Sequence, residues 1–204
     1  MRYLSHAETM RVFQRACVRA GVRVAYSQGF NPHPRMSLVL PRSVGVESDD
    51  EMLCLWLEEG ETGLDGESLK GELPAGIEIA SVGMSQAKGV PGPSLATYRI
   101  RLGPACVDEC IKIRIEELLA KDKVPIERRS GEDSRAKTVD IRPFLESIVV
   151  QGGDIVVDCK VSPAGTIRVD EILGSLQLGV EDLAGPVRRT AVQWNDLNGG
   201  CGVN

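Results

Sequence analysis

Residues 85–96, SQAKGVPGPSLA, constrain this chain of 204 residues more than any other segment. Their glycine, proline and serine content suits neither a helix nor a ladder strand, and they separate two blocks whose patterns run in the same order. In the first block, Ser5 followed by Glu8 makes a capping box and Gly21 supplies a left-handed stop, which predicts a helix over 6–20. VRVAYS (22–27), MSLVLP (36–41), EMLCLWLE (51–58) and GIEIASVGM (76–84) read as strands, DGESLKGELP (65–74) as a short helix and RSVGVESDD (42–50) as a turn. The second block opens with strand ATYRIRL (96–102), a helix over 105–120 and strand VPIERRS (124–130). A polar loop, GEDSRAKT (131–138), leads to strand VDIRPFLESIVVQ, interrupted at Pro143, and to a Gly152-Gly153 turn. Strand DIVVDCKVS, helix RVDEILGSLQL and strand VRRTAVQW close it.

This order predicts an α+β protein of two ferredoxin-like βαββαβ halves in tandem, the first lacking its first strand because MRYL is too short to supply one. The expected divisions are a first half over 1–85, a linker over 86–95, a second half over 96–195 and a loose tail over 196–204. No apolar run approaches the roughly 18 residues that span a bilayer, and MRYLSHAETMR lacks the apolar stretch of a secretory signal, so a cytoplasmic location without membrane contact is expected. Six cysteines stand singly in apolar segments, as buried thiols in a reducing compartment do.

The net charge of −5 argues against a protein that coats nucleic acid indiscriminately, but its distribution is uneven. Residues 1–43 carry seven arginines (Arg2, Arg11, Arg15, Arg19, Arg23, Arg35 and Arg42) against Glu8 alone, whereas 44–83 carry eleven acids against Lys70 alone. Either one side of the protein faces an anion or the two blocks interleave in space. On the first helix Met10, Phe13, Cys17 and Ala20 form the stripe to be buried, while Arg11, Arg15 and Arg19 recur every four residues on another face. Arginines in such register repel one another unless an anion or carboxylates sit opposite.

YSQGFNPHPRMS, residues 26–37, brackets a histidine with two prolines. Each proline biases the residue before it towards extended geometry, so the segment is expected to be a stiff exposed loop. Arg11, Arg15, Arg19, Arg23 and Arg35 are candidates for phosphate contacts, Tyr26 or Phe30 for stacking a base, and Asn31 for reading a base edge. Aromatic residues make up only 4% of the chain, which argues for backbone and shape recognition of a structured RNA rather than a broad stacking platform. His6 and His33 are the only histidines, and neither has a second ligand at metal spacing. If folding brings them together with Tyr26 and Arg35, they would serve as general base and general acid on a phosphodiester without a metal. No P-loop, dinucleotide-binding glycine fingerprint or Gly-x-Ser-x-Gly is present.

Taken together, LSH (Leu4–His6), the 26–37 segment, GVES (45–48), VDIRP (139–143) and RRT (188–190) resemble the radical SAM-linked domain family. This is a domain of unknown function fused to, or encoded beside, a B12-binding-type radical SAM protein. Family members usually begin with a strand before the LSH segment, so a missing first strand or a truncated start is expected; Ala7 and Glu8 replace the more usual leucine and aspartate. The resemblance implies a radical SAM partner that carries the iron–sulfur cluster, and it brings no catalytic activity with it. Cys106 and Cys110 have the spacing that opens a radical SAM cluster motif, but Ile113 stands at the third cysteine, so both are read as core-facing thiols and no cofactor is expected on this chain. In the second half, Asp140 and Arg142 are expected to pair, with Arg129 and Arg142 as secondary anion contacts.

The resulting expectation is an RNA-binding or substrate-presenting accessory protein, without catalytic activity of its own, for a separate radical SAM enzyme. Two alternatives stand beside it. One is a metal-independent RNA-processing endonuclease using His6 and His33, by analogy with CRISPR repeat-RNA endonucleases of tandem ferredoxin-like fold. The other is a protein–protein adaptor that needs no RNA.

Overall fold

The computed structural model describes residues 1–61, 63–87, 89–106, 109–129 and 136–195. The tail expected over 196–204 lies outside them, as does most of the polar loop read over 131–138. The chain forms two compact units: Met1–Val44 with Glu51–Gly92, and Gly45–Asp50 with Pro93–Asn195.

The first unit starts from helix α1 (His6–Arg19), with no strand before it among the described residues. Its capping box is formed: Glu8 N donates to Ser5 Oγ at 3.3 Å and Ser5 N donates to Glu8 Oε2 at 2.8 Å. Ala20 caps the other end and Gly21, at φ 69°, turns the chain away in a conformation that glycine adopts without strain. Ala16 and Cys17 are buried while Arg11, Arg15 and Arg19 stay exposed, so the two faces separate as the periodicity demands. Strands β1 (Met36–Leu38) and, after β2 (Glu47–Ser48), β3 (Leu53–Leu55) pair antiparallel, with Ser37 opposite Cys54. Residues 23–27 join this pair through bridges Val24–Leu57 and Tyr26–Pro34, held by Ala25 N to Trp56 O and Arg35 N to Ala25 O, both 2.7 Å. Helix α2 (Gly66–Gly71) is capped by Asp65, and Leu69 completes a small core with Ala16, Cys17 and Val24. GIEIASVGM differs from its reading as a strand. Ile77 and Ile79 alternate inward against exposed Glu78 and Ala80, but the segment makes no ladder. Side-chain packing satisfies the period of two there without a hydrogen-bonded neighbour.

The second unit follows the expected order closely. Strand β4 (Gly92–Arg101) leads through a 3-10 turn, Pro104–Cys106, to α3 (Glu109–Ala120). Strands β5 (Pro125–Arg128) and β6 (Lys137–Asp140) form a hairpin of their own, then β7 (Leu145–Gln151), β8 (Asp154–Lys160), α4 (Val169–Ser175) and β9 (Arg188–Asn195) follow. The segment around Pro143 is therefore split between two sheets, and the β5–β6 hairpin is an insertion between α3 and β7. The main sheet runs β2-β9-β4-β8-β7. Apart from β2, its strands are the fourth, first, third and second of a strand-helix-strand-strand-helix-strand unit, the ferredoxin-like order. Gly152 and Gly153, both at positive φ, make the two-residue turn between β7 and β8. Ile155, Val157 and Cys159 alternate inward on β8 and meet Ile111, Ile115 and Leu118 of α3 and Ile172 and Leu173 of α4 in one core. A register shift between Leu145 and Ser147 lets both Leu145 and Ile148 reach it.

The segment read as a turn over 42–50 supplies the edge of this sheet. Strand β2 lies parallel to β9, with Glu47 opposite Arg188 and Ser48 opposite Arg189. Thus GVES and RRT, distant in sequence, are one structural feature. Arg188 donates to Glu47 Oε2 at 2.6 Å and Asp49 Oδ1 at 3.1 Å, and the fully buried Arg189 donates from Nε to Ser48 Oγ at 3.1 Å. Asp50 accepts from Val192 N at 2.8 Å and from Trp194 Nε1 at 3.1 Å, continuing the edge with a side chain where the ladder stops.

Candidate nucleic-acid interface

Four of the residues singled out in the sequence line one groove of about 430 Å³ in the first unit: Arg15, Arg19, Arg23 and Tyr26. The exposed face of α1 forms one wall, and the other comes from the ladder that follows it, through Val24, Tyr26, Pro34 and Met36. The floor is apolar. Cys17, whose thiol burial pushes up, and Val24 sit at its base, while Val18 is 71% exposed beside the arginines. Glu58 reaches the groove because its backbone N–H donates to Arg23 O at 2.9 Å.

The arginines are not equivalent. Arg19 donates to Glu72 Oε2 and to Glu72 O, both at 2.6 Å, and Arg23 donates to Glu61 Oε2 at 2.7 Å. Arg42 faces Glu51 at 3.6 Å. The acidic block therefore interleaves with the basic one at these three positions. Arg15 has no such partner among the described residues, and Arg35 instead lies 5.4 Å above the Trp56 ring. Arg11 sits a turn before Arg15, near the charge of Glu8, whose carboxyl is held low first by its hydrogen bonds with Ser5.

The 26–37 segment folds back on itself through the Tyr26–Pro34 bridge. Ser27 N donates to His33 O at 2.8 Å and His33 N donates to Ser27 Oγ at 3.0 Å, closing a tip on which Phe30 is wholly exposed and Asn31 is exposed beside it. His33 stands next to groove-lining Pro34. His6 opens α1 at the other end: nine residues before Arg15, it lies roughly 13 Å away along the helix axis. No hydrogen bond joins the two imidazoles. Arg142 belongs to the second unit and donates to the carbonyls of Lys121, Leu145 and Leu119 at 3.1, 2.9 and 3.0 Å. Its guanidinium closes the end of α3. Asp140, read as its ion-pair partner, instead accepts from the backbone N–H groups of Val124 and Arg142 at 2.8 and 3.1 Å. Arg129 is exposed.

Cys110 corrects its reading as a core thiol: it is exposed, because Ile111, Ile115 and Leu118 take the buried face of α3. Cys106 is half-buried and its Sγ lies 3.4 Å from Asp182 Oδ1. Among the described residues no three His, Cys, Asp or Glu side chains are grouped to hold a metal, and no helix is long and apolar enough to cross a membrane.

Residues 1–170, which hold α1, the hairpin and the groove, match a family model described as an uncharacterized protein conserved in bacteria. The chain belongs to the DUF2344 family. The match ends before β9, so the RRT segment lies beyond it while its partner GVES lies within. No curated protein matches the chain.

Val18, Met36 and Glu58 were not singled out in the sequence. Val18 did leave a signal there, as an apolar residue between Arg15 and Arg19 on a face otherwise polar. Glu58 left none, since a contact with the segment around Arg23 is not local.

Proposed function

We propose that this protein binds RNA, or presents it, as a cytoplasmic accessory of a separate radical SAM enzyme, with α1 and the 26–37 hairpin as the contact surface. The observation that carries the reading is Arg15. In a unit where Arg19, Arg23 and Arg42 each have a carboxylate, Arg15 has none among the described residues and lines the groove beside Tyr26. A guanidinium in that setting suits a phosphate, which it engages by charge-assisted hydrogen bonds. Arg11, one turn before Arg15 on α1, extends the same surface, whereas Arg35 alternates with groove-lining Pro34 and Met36 and turns its guanidinium to Trp56; the stretch 24–46 contains no acid to repel a polyanion. The radical SAM association rests on the sequence resemblance.

Fluorescence anisotropy of structured RNA and a matched DNA duplex over a salt series tests this reading, with Arg11, Arg15 and Arg35 replaced by alanine in parallel. RNA-preferring binding is expected, and each lost phosphate contact reduces the salt slope by about 0.7 to 0.9. No binding at low salt overturns it. Phe30, wholly exposed at the tip of the hairpin, favours the adaptor as the second reading. In that case the radical SAM partner binds without RNA and Phe30→Ala abolishes the complex. The separation of His6 from the groove gives the endonuclease alternative no comparable support.

A further inference from the structure

We infer that the groove of the first unit is a subsite for one unstacked nucleotide, which seats a guanine base on its apolar floor with the attached phosphate at Arg15. This rests on the RNA-binding reading and adds to it a unit of recognition and a preferred base. Volume comes first. At about 430 Å³ the groove falls within the roughly 300–1,000 Å³ of small-molecule sites, whereas a duplex would lie across its mouth without entering. Its chemistry is divided. Val18, Val24 and Met36 offer an apolar surface, and Tyr26, 48% exposed, offers a ring beside it, the combination on which a base stacks.

The charges then orient the ligand. Glu72 and Glu61 hold Arg19 and Arg23 at 2.6 and 2.7 Å, so those two guanidiniums serve as walls, and Arg15 remains as the phosphate contact. Glu58 is a carboxylate in a groove otherwise favourable to anions. An ionised carboxylate only accepts hydrogen bonds, so it selects a base edge that presents donors. Guanine presents two adjacent donors on its Watson–Crick edge, the ring N1–H and the exocyclic amine. Uracil presents one, flanked by carbonyl oxygens that the carboxylate repels. Among the described lining residues, the apolar floor, Arg15 and Glu58 are thereby assigned to base, phosphate and base edge.

The test is a methyl NMR titration of the whole chain with GMP, guanosine, ribose 5-phosphate and UMP, following Val18, Val24 and Met36, together with RNA anisotropy on the same samples. GMP is expected to shift these methyls and to bind about tenfold more tightly than guanosine, a difference that Arg15→Ala abolishes. Glu58→Gln is expected to erase the preference for GMP over UMP while leaving phosphate dependence intact. Both residues are exposed, and an unchanged amide spectrum reports that each variant is folded. If no nucleotide shifts the methyls at millimolar concentration while RNA still binds with a slope sensitive to Arg15, the subsite is refuted and the RNA reading stands. If neither nucleotide nor RNA binds, both fall. A GMP preference that survives Glu58→Gln refutes the role of Glu58, and equal binding of GMP and UMP to the unaltered chain refutes the assignment of guanine.

Discussion

Replacing Glu171 by alanine should unfold the second unit far more readily than its place on a short helix suggests. Arg128 donates from Nε to Glu171 Oε1 and from Nη2 to Oε2, both at 2.7 Å, and the two side chains are only 17% and 8% exposed. Its proton affinity is raised first by that hydrogen bonding. The same carboxylate accepts from Arg168 N at 2.8 Å and so caps α4. Truncating it leaves the largely buried guanidinium without its counter-charge and with Thr166 O, at 2.7 Å, as its remaining acceptor, a loss of about 3–5 kcal/mol, with about 1 kcal/mol more from the cap. With a urea slope of about 2 kcal/mol per molar, the midpoint should fall by about 2–3 M. Trp194 is the only tryptophan in the second unit, so in a Trp56→Phe background its fluorescence reports that unit alone. The paired replacement Arg128→Met with Glu171→Leu should recover most of the loss, because it removes both charges together. A loss below about 1 kcal/mol for Glu171→Ala would refute the reasoning, since it would show the pair to behave as a surface ion pair.

Three further outcomes follow from the same geometry. Asp50→Ala should cost about 1–3 kcal/mol by leaving Val192 N and Trp194 Nε1 without their acceptor, whereas Glu47→Ala should cost below about 1 kcal/mol because Arg188 is half-exposed; urea unfolding of the two variants checks the order. In alkylation with peptide mapping at pH 8, Cys110 should react well before Cys159. Burial, and then the charge of Asp158, push the Cys159 thiol up to about 12 and keep it protonated. The carboxyls of Asp65 and Asp182 are held below their ordinary value of 3.8, chiefly by hydrogen bonds from Ser68 and from Gly179 N respectively. A carboxylate lowered in the folded state stabilises above its unfolded value and loses that contribution as pH falls through its folded one, so Asp65→Asn and Asp182→Asn should each flatten the stability curve below pH 3.8, read by acid titration of circular dichroism.

What the sequence disclosed was what local physics controls. The capping box of α1 needs only Ser5 and Glu8, and the βαββαβ order of the second unit is written in periods that each element satisfies within its own length. Strand β2 is two residues long and draws its identity from a partner about 140 positions away, so no window over 42–50 separates it from a turn. The segment 76–84 has a strand's alternation, but alternation reports burial of one side and not the presence of a neighbouring backbone. At the groove, the helical spacing of Arg15 and Arg19 was visible, yet the carboxylates that occupy Arg19 and Arg23 come from Glu72 and Glu61. Which arginine remains available is therefore decided by tertiary contacts alone.

The parallel pairing of β2 with β9 also has a bearing on how the chain acquires its structure. Ser48 and Arg189 are 141 residues apart, and closing a flexible loop of that length costs roughly 4 kcal/mol in entropy before any contact forms. The edge of the sheet is then among the last parts to assemble, after β7 and β8 have met across a two-residue turn. Cutting the chain at the glycine- and proline-rich segment would not yield a finished second unit. A fragment beginning there keeps β9 but lacks the strand that covers it, leaving an open edge able to pair with another copy of itself. Such a fragment should collect in aggregates, and adding a peptide spanning 45–50 should restore it to solution.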